Sequence, residues 1–210
     1  MTAFKAQLFE AMRGQQATVE DLRQVGPRWP EGTHPQVDEV RKEVNDWFET
    51  FWNGDEKKTR RFQAADVGRL AGMCWPRAGY EGLRFAAMFM AWIFLWDDHF
   101  DNVKDVGVAR EYCEETKRYI TCCLGRDEAD VENDVHDDEI FTAFRGVVSV
   151  PLRQKHNLRR RRVMLEQLLG YVDSVIQETE VLLSEELPSI QGYWGYRTQC
   201  SAGGPMLLLD

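Results

Sequence analysis

The sequence is poor in the features that mark several common protein classes. Its five cysteines are an odd number without a CxxC pair, which argues against a zinc site or a disulfide framework and favours reduced thiols. Its four histidines do not group along the chain, as the metal ligands of an HD-type hydrolase would. No stretch alternates convincingly between apolar and polar residues, so no β-strand is expected.

Long apolar runs are also missing. The first 16 residues, MTAFKAQLFEAMRGQQ, lack the apolar core of a signal peptide. The most apolar run, residues 85–96, is too short to span a bilayer. We therefore expect a cytoplasmic protein.

The charge balance excludes another class. The formal net charge is −9 at pH 7, the reverse of what a nucleic-acid-binding surface needs. One basic run, residues 159–162, is interpreted as a solvated helix start rather than an anion site. An anionic substrate such as a diphosphate would need metal cations to bridge it to so acidic a protein.

What the sequence does contain is apolar residues at helical spacing, separated by turn signals. This pattern predicts an all-α fold in a single domain over residues 1–210. The helix predicted near residues 81–99 is apolar on almost every face, so we expect it to be central and buried. Helices are predicted over about residues 37–52, 64–74, 81–99, 106–123, 138–148 and 158–183, and from 188 to a break near 203, with an acidic loop over 125–138.

One segment carries recognisable chemistry. Residues 93–101, IFLWDDHFD, join the apolar helix directly to three carboxylates. Asp97 and Asp101 are four residues apart and share a helix face, with Asp98 beside them, so their charges repel unless cations compensate. Hard carboxylate oxygens suit Mg²⁺, which also bridges to substrate phosphates. The bland alternative is an exposed acidic helix end, but these acids terminate the most apolar helix, and we favour a metal-binding rim above an apolar wall. That wall would comprise Phe89, Met90, Ile93 and Phe94.

The surrounding sequence resembles a known family. Residues 65–102 look like helices B and C of fungal and bacterial class I terpene cyclases, in which a Trp/Tyr-Pro turn precedes an apolar helix ending in DDxxD. Residues 34–48, HPQVDEVRKEVNDWF, resemble the preceding helix. Residues 188–205, PSIQGYWGYRTQCSAGGP, resemble the helix G region, where a tyrosine precedes the arginine that senses diphosphate. The chain would then correspond to the N-terminal two-thirds of the family fold, shortened at its C-terminus.

The resemblance implies a specific reaction. Asp97 and Asp101, with Asp98 as a ligand or its neighbour, would hold Mg²⁺ ions that bind an allylic prenyl diphosphate, with farnesyl diphosphate expected. Arg197 would join Asp97 as a catalytic residue by stabilising the departing diphosphate. The prenyl chain would cyclise to a sesquiterpene against Phe94, Met90, Phe89 and Ile93, with Trp92 and Trp96 as further candidate aromatics for steadying the carbocation.

The sequence also departs from the family. The second metal motif, NDxxSxxxE, does not occur in the 210 residues, and the position three residues after Arg197 is Cys200. Two alternatives stay open: a cyclase seen as a shortened product, and a non-catalytic helical protein that serves as a binding or partner subunit. A homodimer or a complementing chain is possible. Prenyl chain elongation would need a second Asp-rich motif and basic residues for isopentenyl diphosphate, which are not visible.

We expect the chain alone to be a poor cyclase with an incomplete pocket. Its central helix is expected to show an exposed apolar strip along residues 83–96.

Overall fold

The computed structural model describes residues 3–21, 24, 32–52, 55–100, 103–126 and 136–206, and every regular element in these ranges is helical. The predicted all-α fold is confirmed. In chain order the helices are α1 (Ala3–Met12), α2 (Val37–Phe51), α3 (Glu56–Ala65), α4 (Val67–Cys74), α5 (Tyr80–Asp97), α6 (Val106–Gly125), α7 (Glu139–Phe144), α8 (Val150–Lys155), α9 (Leu158–Leu183), α10 (Ile190–Cys200) and α11 (Gly203–Met206). A π-helical segment (Arg145–Ser149) joins α7 to α8.

Most predicted helices are present with close boundaries. Helix α9 coincides with the predicted range 158–183, and α2, α5 and α6 begin at or next to the predicted residues. Local caps explain several of these starts: the side chains of Asp105, Asn157 and Ser189 each accept a backbone N–H from the first turn of α6, α9 and α10. Most of the predicted loop over 125–138 lies outside the described residues.

Three helices, α1, α3 and α11, have no counterpart in the prediction. Helix α3 buries only Phe62, so its sequence shows no apolar stripe, although Asp55 caps its first turn by accepting from the N–H groups of Lys57 and Lys58. The predicted helix over 138–148 also extends further, to Lys155, through the π-helical segment.

Helix α5 lies at the centre of the molecule, as predicted. One side packs against α2 and α4 through Leu83, Ala87 and Ala91, and the other packs against α6, α7 and α9 through Trp92 and Trp96. The indole N–H groups of those two tryptophans reach partners across the core: Trp92 Nε1 donates to the Ile140 carbonyl at 3.1 Å, and Trp96 Nε1 donates to Thr116 Oγ1 at 3.0 Å.

The prediction of an exposed apolar strip on this helix is wrong. Between residues 83 and 96 only Arg84 is exposed, because helices cover α5 on both sides. Exposed apolar side chains lie instead on α10, where Ile190 is 81% and Trp194 61% exposed. No helix within the described ranges is long and apolar enough to cross a membrane.

Helices α2 and α4 approach closely at a glycine. A Cβ atom added to Gly68 of α4 would lie 2.7 Å from Arg41 Cα on α2, which is backbone and has little room to shift. This close approach packs α4 directly against α2.

Replacing this glycine is expected to destabilise the fold. Gly68→Ala should lower the free energy of unfolding by about 1–3 kcal/mol, because α2 and α4 must move apart. Gly195→Ala on α10 is the matched control: its added Cβ meets nothing within 4 Å, so the better helix propensity of alanine should raise stability by up to about 1 kcal/mol. Thermal unfolding followed by circular dichroism measures both. Equal shifts in the two variants would contradict the close approach.

Candidate functional site

The predicted acidic rim lies at the C-terminal end of α5. Asp97 is the last residue of that helix and Asp98 its cap, and both side chains are exposed. Asp101, the third predicted ligand, lies outside the described residues. The two described carboxylates are therefore held at a defined point by a helix that is buried along most of its length.

Asp97 accepts a hydrogen bond from a buried tyrosine of α9. The Tyr171 hydroxyl donates to Asp97 Oδ1 at 3.3 Å, and the Tyr171 side chain is 2% exposed with its ring 5.5 Å from that of Trp96. Burial, reinforced by the Asp97 charge, raises the pKa of Tyr171 far above its ordinary value, so the hydroxyl keeps its proton and stays a donor. Sequence analysis missed this residue, because periodicity places it on the buried face of α9 but cannot pair it with Asp97.

Asp98 forms an ion pair with an arginine of a different helix. Arg61 of α3 places its Nη2 atom 3.1 Å from Asp98 Oδ1 across the end of α5. Both side chains are at least half exposed, so the pair contributes little to stability and can exchange partners.

A cavity of about 440 Å³ brings Asp97 together with Arg197. We refer to it as the Asp97–Arg197 cavity. Apolar side chains from α9 form much of its wall, with Phe100 and Val103 from the segment after α5. Its charged lining residues are Lys5, Asp97, Glu178 and Arg197.

Arg197 is oriented within this cavity by two neighbours. Its Nη1 atom lies 3.0 Å from Glu178 Oε1 on α9 and 3.5 Å from the Cys200 sulfur, one turn along α10. The hydrogen bond to Cys200 and the charge of Glu178 raise the pKa of Arg197, so the guanidinium stays charged. Burial raises the pKa of the Cys200 thiol. The structure thus places a fixed cation and Asp97 on the wall of one cavity.

A second cavity of about 500 Å³ lies on the α3 side of the same rim. We refer to it as the aromatic cavity. Asp97 lines it too, together with Asp98 and the predicted wall residue Phe94. Two cations, Lys58 and Arg61, also line it. Four further aromatic rings, which sequence analysis did not select, line it as well: Phe48, Trp52, Phe62 and the imidazole of His99.

The other predicted wall residues are placed deeper in the molecule. Phe89, Met90 and Ile93 are each at most 4% exposed and belong to the hydrophobic core. Met90 packs in the cluster formed with α2 and α4, and Phe89 and Ile93 pack in the cluster formed with α6, α7 and α9. Of the four predicted wall residues, Phe94, nearest the end of the helix, lines a described cavity together with Asp97.

The donor set at the rim fits Mg²⁺ in chemistry. Carboxylate oxygens are the ligands that this ion prefers, and Asp97 presents one at the wall of both cavities. Asp98 would bind a cation by exchanging its Arg61 partner. Within the described part of the chain no three Asp, Glu, His or Cys side chains gather closely enough to hold a metal ion, and Asp101 is not in that part.

Comparison with known proteins identifies the family. The model of terpene synthase family 2, C-terminal metal binding, matches residues 88–209. Terpene cyclase braA of Annulohypoxylon truncatum is 32% identical over 117 residues, which cover 53% of this chain and 31% of that protein. Sesquiterpene synthase 3 of Postia placenta is 26% identical over 178 residues, 82% of this chain and 45% of that protein.

A solved structure shows the same fold. Linalool/nerolidol synthase from Streptomyces clavuligerus superposes with a TM-score of 0.71 at 18% identity, over 86% of this chain and 58% of that chain. The matched region thus spans between about a third and somewhat over half of the length of these relatives. The family match covers more than half of the present sequence and includes the acidic end of α5, α9 and α10, and the chain belongs to the terpene synthase family.

Proposed function

We propose that this protein binds farnesyl diphosphate through Mg²⁺ and ionises and cyclises it to a sesquiterpene. The observation that carries the proposal is that Asp97 and Arg197, far apart in sequence, line one cavity. The names of two relatives add support, because one is a terpene cyclase, braA, and the other is sesquiterpene synthase 3.

The charged groups would handle the diphosphate. Asp97 and Asp98, with Asp101, would hold Mg²⁺, which when bound neutralises charge on the diphosphate. Arg197 would donate N–H groups to the diphosphate oxygens and stabilise the charge that grows as the carbon–oxygen bond breaks. Glu178 keeps the guanidinium positioned before the substrate arrives, so little orientation is left to be fixed in the reaction.

The aromatic cavity would hold the prenyl chain. Asp97 lies on the wall of both cavities, so a diphosphate bound at the rim would leave its chain free to enter between Phe94 and Phe62. Aromatic faces attract cations and exclude water, both of which protect a carbocation. The Lys58 ammonium lies 4.3 Å from the centroid of the Trp52 ring, so one aromatic ring of this cavity already contacts a cation.

The test is to incubate the purified 210-residue chain with farnesyl diphosphate and Mg²⁺ and to analyse the products by gas chromatography. We expect a sesquiterpene that disappears when Mg²⁺ is chelated. The yield should be low, because the second metal motif is not among the 210 residues and one acidic rim anchors only part of the metal cluster. Mg²⁺-dependent binding without product would favour the non-catalytic binding role, and a folded protein that does not bind would refute the proposal.

Tyr171→Phe is expected to weaken Mg²⁺-dependent binding of inorganic pyrophosphate by about three- to tenfold, the effect of one lost hydrogen bond. The substitution removes only the hydroxyl that orients Asp97. Tyr112→Phe is the matched control, because its buried hydroxyl has no hydrogen-bond partner within the described residues. Calorimetric titration measures both affinities. Equal affinities in the two variants would show that Tyr171 only fills space.

A further inference from the structure

We propose that the N-terminal helix α1 supplies a second diphosphate-binding cation, Lys5, to the Asp97–Arg197 cavity. The inference rests on the proposed function and adds to it a residue that the sequence analysis did not select. It assigns to α1 a part in substrate binding.

Lys5 is built into the molecule rather than left on its surface. Its side chain is 9% exposed, and its ammonium donates to the carbonyl oxygen of Leu182 at 2.9 Å and to that of Val181. These carbonyls belong to the last turn of α9, where backbone oxygens lack helical partners and the helix dipole is negative. Burying an ammonium costs free energy unless hydrogen-bond acceptors surround it, so the α9 carbonyls fix the position of the Lys5 ammonium.

The cavity that Lys5 lines is the one that contains Asp97 and Arg197. Phe9, one turn along α1, lines it as well. Helix α1 therefore forms a wall of this cavity and carries its cation there.

The charge balance of the lining gives Lys5 a role. Asp97 and Glu178 are the anionic side chains among the described residues that line the cavity, and Glu178 pairs with Arg197. Lys5 is the other cation among the described residues that line it, and its charge offsets theirs. Without Lys5 these side chains would carry one net negative charge, from Asp97 and Glu178 against Arg197, which opposes the approach of a multiply negative diphosphate until Mg²⁺ binds.

This contribution lies outside the matched family domain. That match begins at residue 88, whereas α1 ends at Met12.

Two substitutions separate the charge of Lys5 from its hydrogen bonds. Lys5→Gln keeps N–H donors for the α9 carbonyls but removes the charge, and Lys5→Arg keeps the charge. Calorimetric titration of the 210-residue chain with inorganic pyrophosphate and Mg²⁺ should show about tenfold weaker binding for Lys5→Gln, the effect of one charge-assisted hydrogen bond. Lys5→Arg should stay close to the unsubstituted protein. The control is Lys57→Gln on α3. The Lys57 side chain is exposed and lines neither cavity, so this substitution should leave the affinity for pyrophosphate unchanged.

The outcomes separate this inference from the proposed function. Wild-type affinity in Lys5→Gln, with binding lost in Asp97→Ala, would show that Lys5 only caps α9 and would overturn the inference. A folded wild-type chain that does not bind pyrophosphate with Mg²⁺ would refute the proposed function itself. Should Lys5→Gln fail to fold, the rates of lysine acetylation in the unsubstituted protein provide a second test of the inference. Bound Mg²⁺–pyrophosphate should slow modification of Lys5 but not of Lys57, and equal rates would overturn the inference.

Discussion

Asp97→Ala is expected to reduce Mg²⁺-dependent binding of farnesyl diphosphate by on the order of 100-fold or more, because it removes a metal ligand and not merely a group that orients one. Product formation should fall with it. The side chain is exposed, so the fold should persist, which a thermal melt checks.

Asp137→Ala is the matched control for this effect. Asp137 is also an exposed aspartate, but it lines neither cavity. Its substitution alters the net charge by the same amount and should leave the Mg²⁺-dependent affinity unchanged. A comparable loss in both variants would mean that Asp97 acts only through overall charge.

Arg197→Met should slow the release of pyrophosphate from farnesyl diphosphate by about 100-fold, the loss that follows when one donor to a developing anion is removed. Arg197→Lys keeps the charge but loses the planar fork of donors, so its rate should lie between that of the unsubstituted protein and that of Arg197→Met. A coupled pyrophosphate assay measures the rates at saturating Mg²⁺.

The control for Arg197 must account for Glu178, which loses its ion pair in the methionine variant. Arg162→Met removes an exposed arginine from α9 and should leave the rate unchanged. Glu178→Gln should weaken pyrophosphate release less than Arg197→Met, because the guanidinium remains. A melting temperature that falls in Arg197→Met while the rate does not would make Arg197 a structural residue only.

The helices that sequence analysis predicted best are those whose apolar pattern and caps agree. Helix α9 has both an apolar stripe and an asparagine cap, Asn157, and was predicted residue for residue. Helix α3 buries a single residue, Phe62, and escaped prediction because its stability comes from its cap and its place against α2. Periodicity reports burial, and an element that buries little leaves little signal.

The candidate site was accessible to sequence analysis only in part. Asp97 and Arg197 were found because each lies in a motif with a recognisable context. Tyr171 and Lys5 lie in no motif, and their relation to Asp97 and to the α9 carbonyls exists only once distant helices pack together. The sequence also could not show which of the predicted wall residues other helices would cover. Met90 and Phe94 share one helix face, but α2 and α4 cover Met90 and leave Phe94 at the aromatic cavity.

A crystal structure of the 210-residue chain with Mn²⁺ and inorganic pyrophosphate would test the central claim most directly. The proposal predicts an anomalous difference peak beside the Asp97 carboxylate and a diphosphate in the Asp97–Arg197 cavity, in contact with the Arg197 guanidinium. Mn²⁺ bound away from Asp97, or a diphosphate that lies out of reach of Arg197, would contradict it.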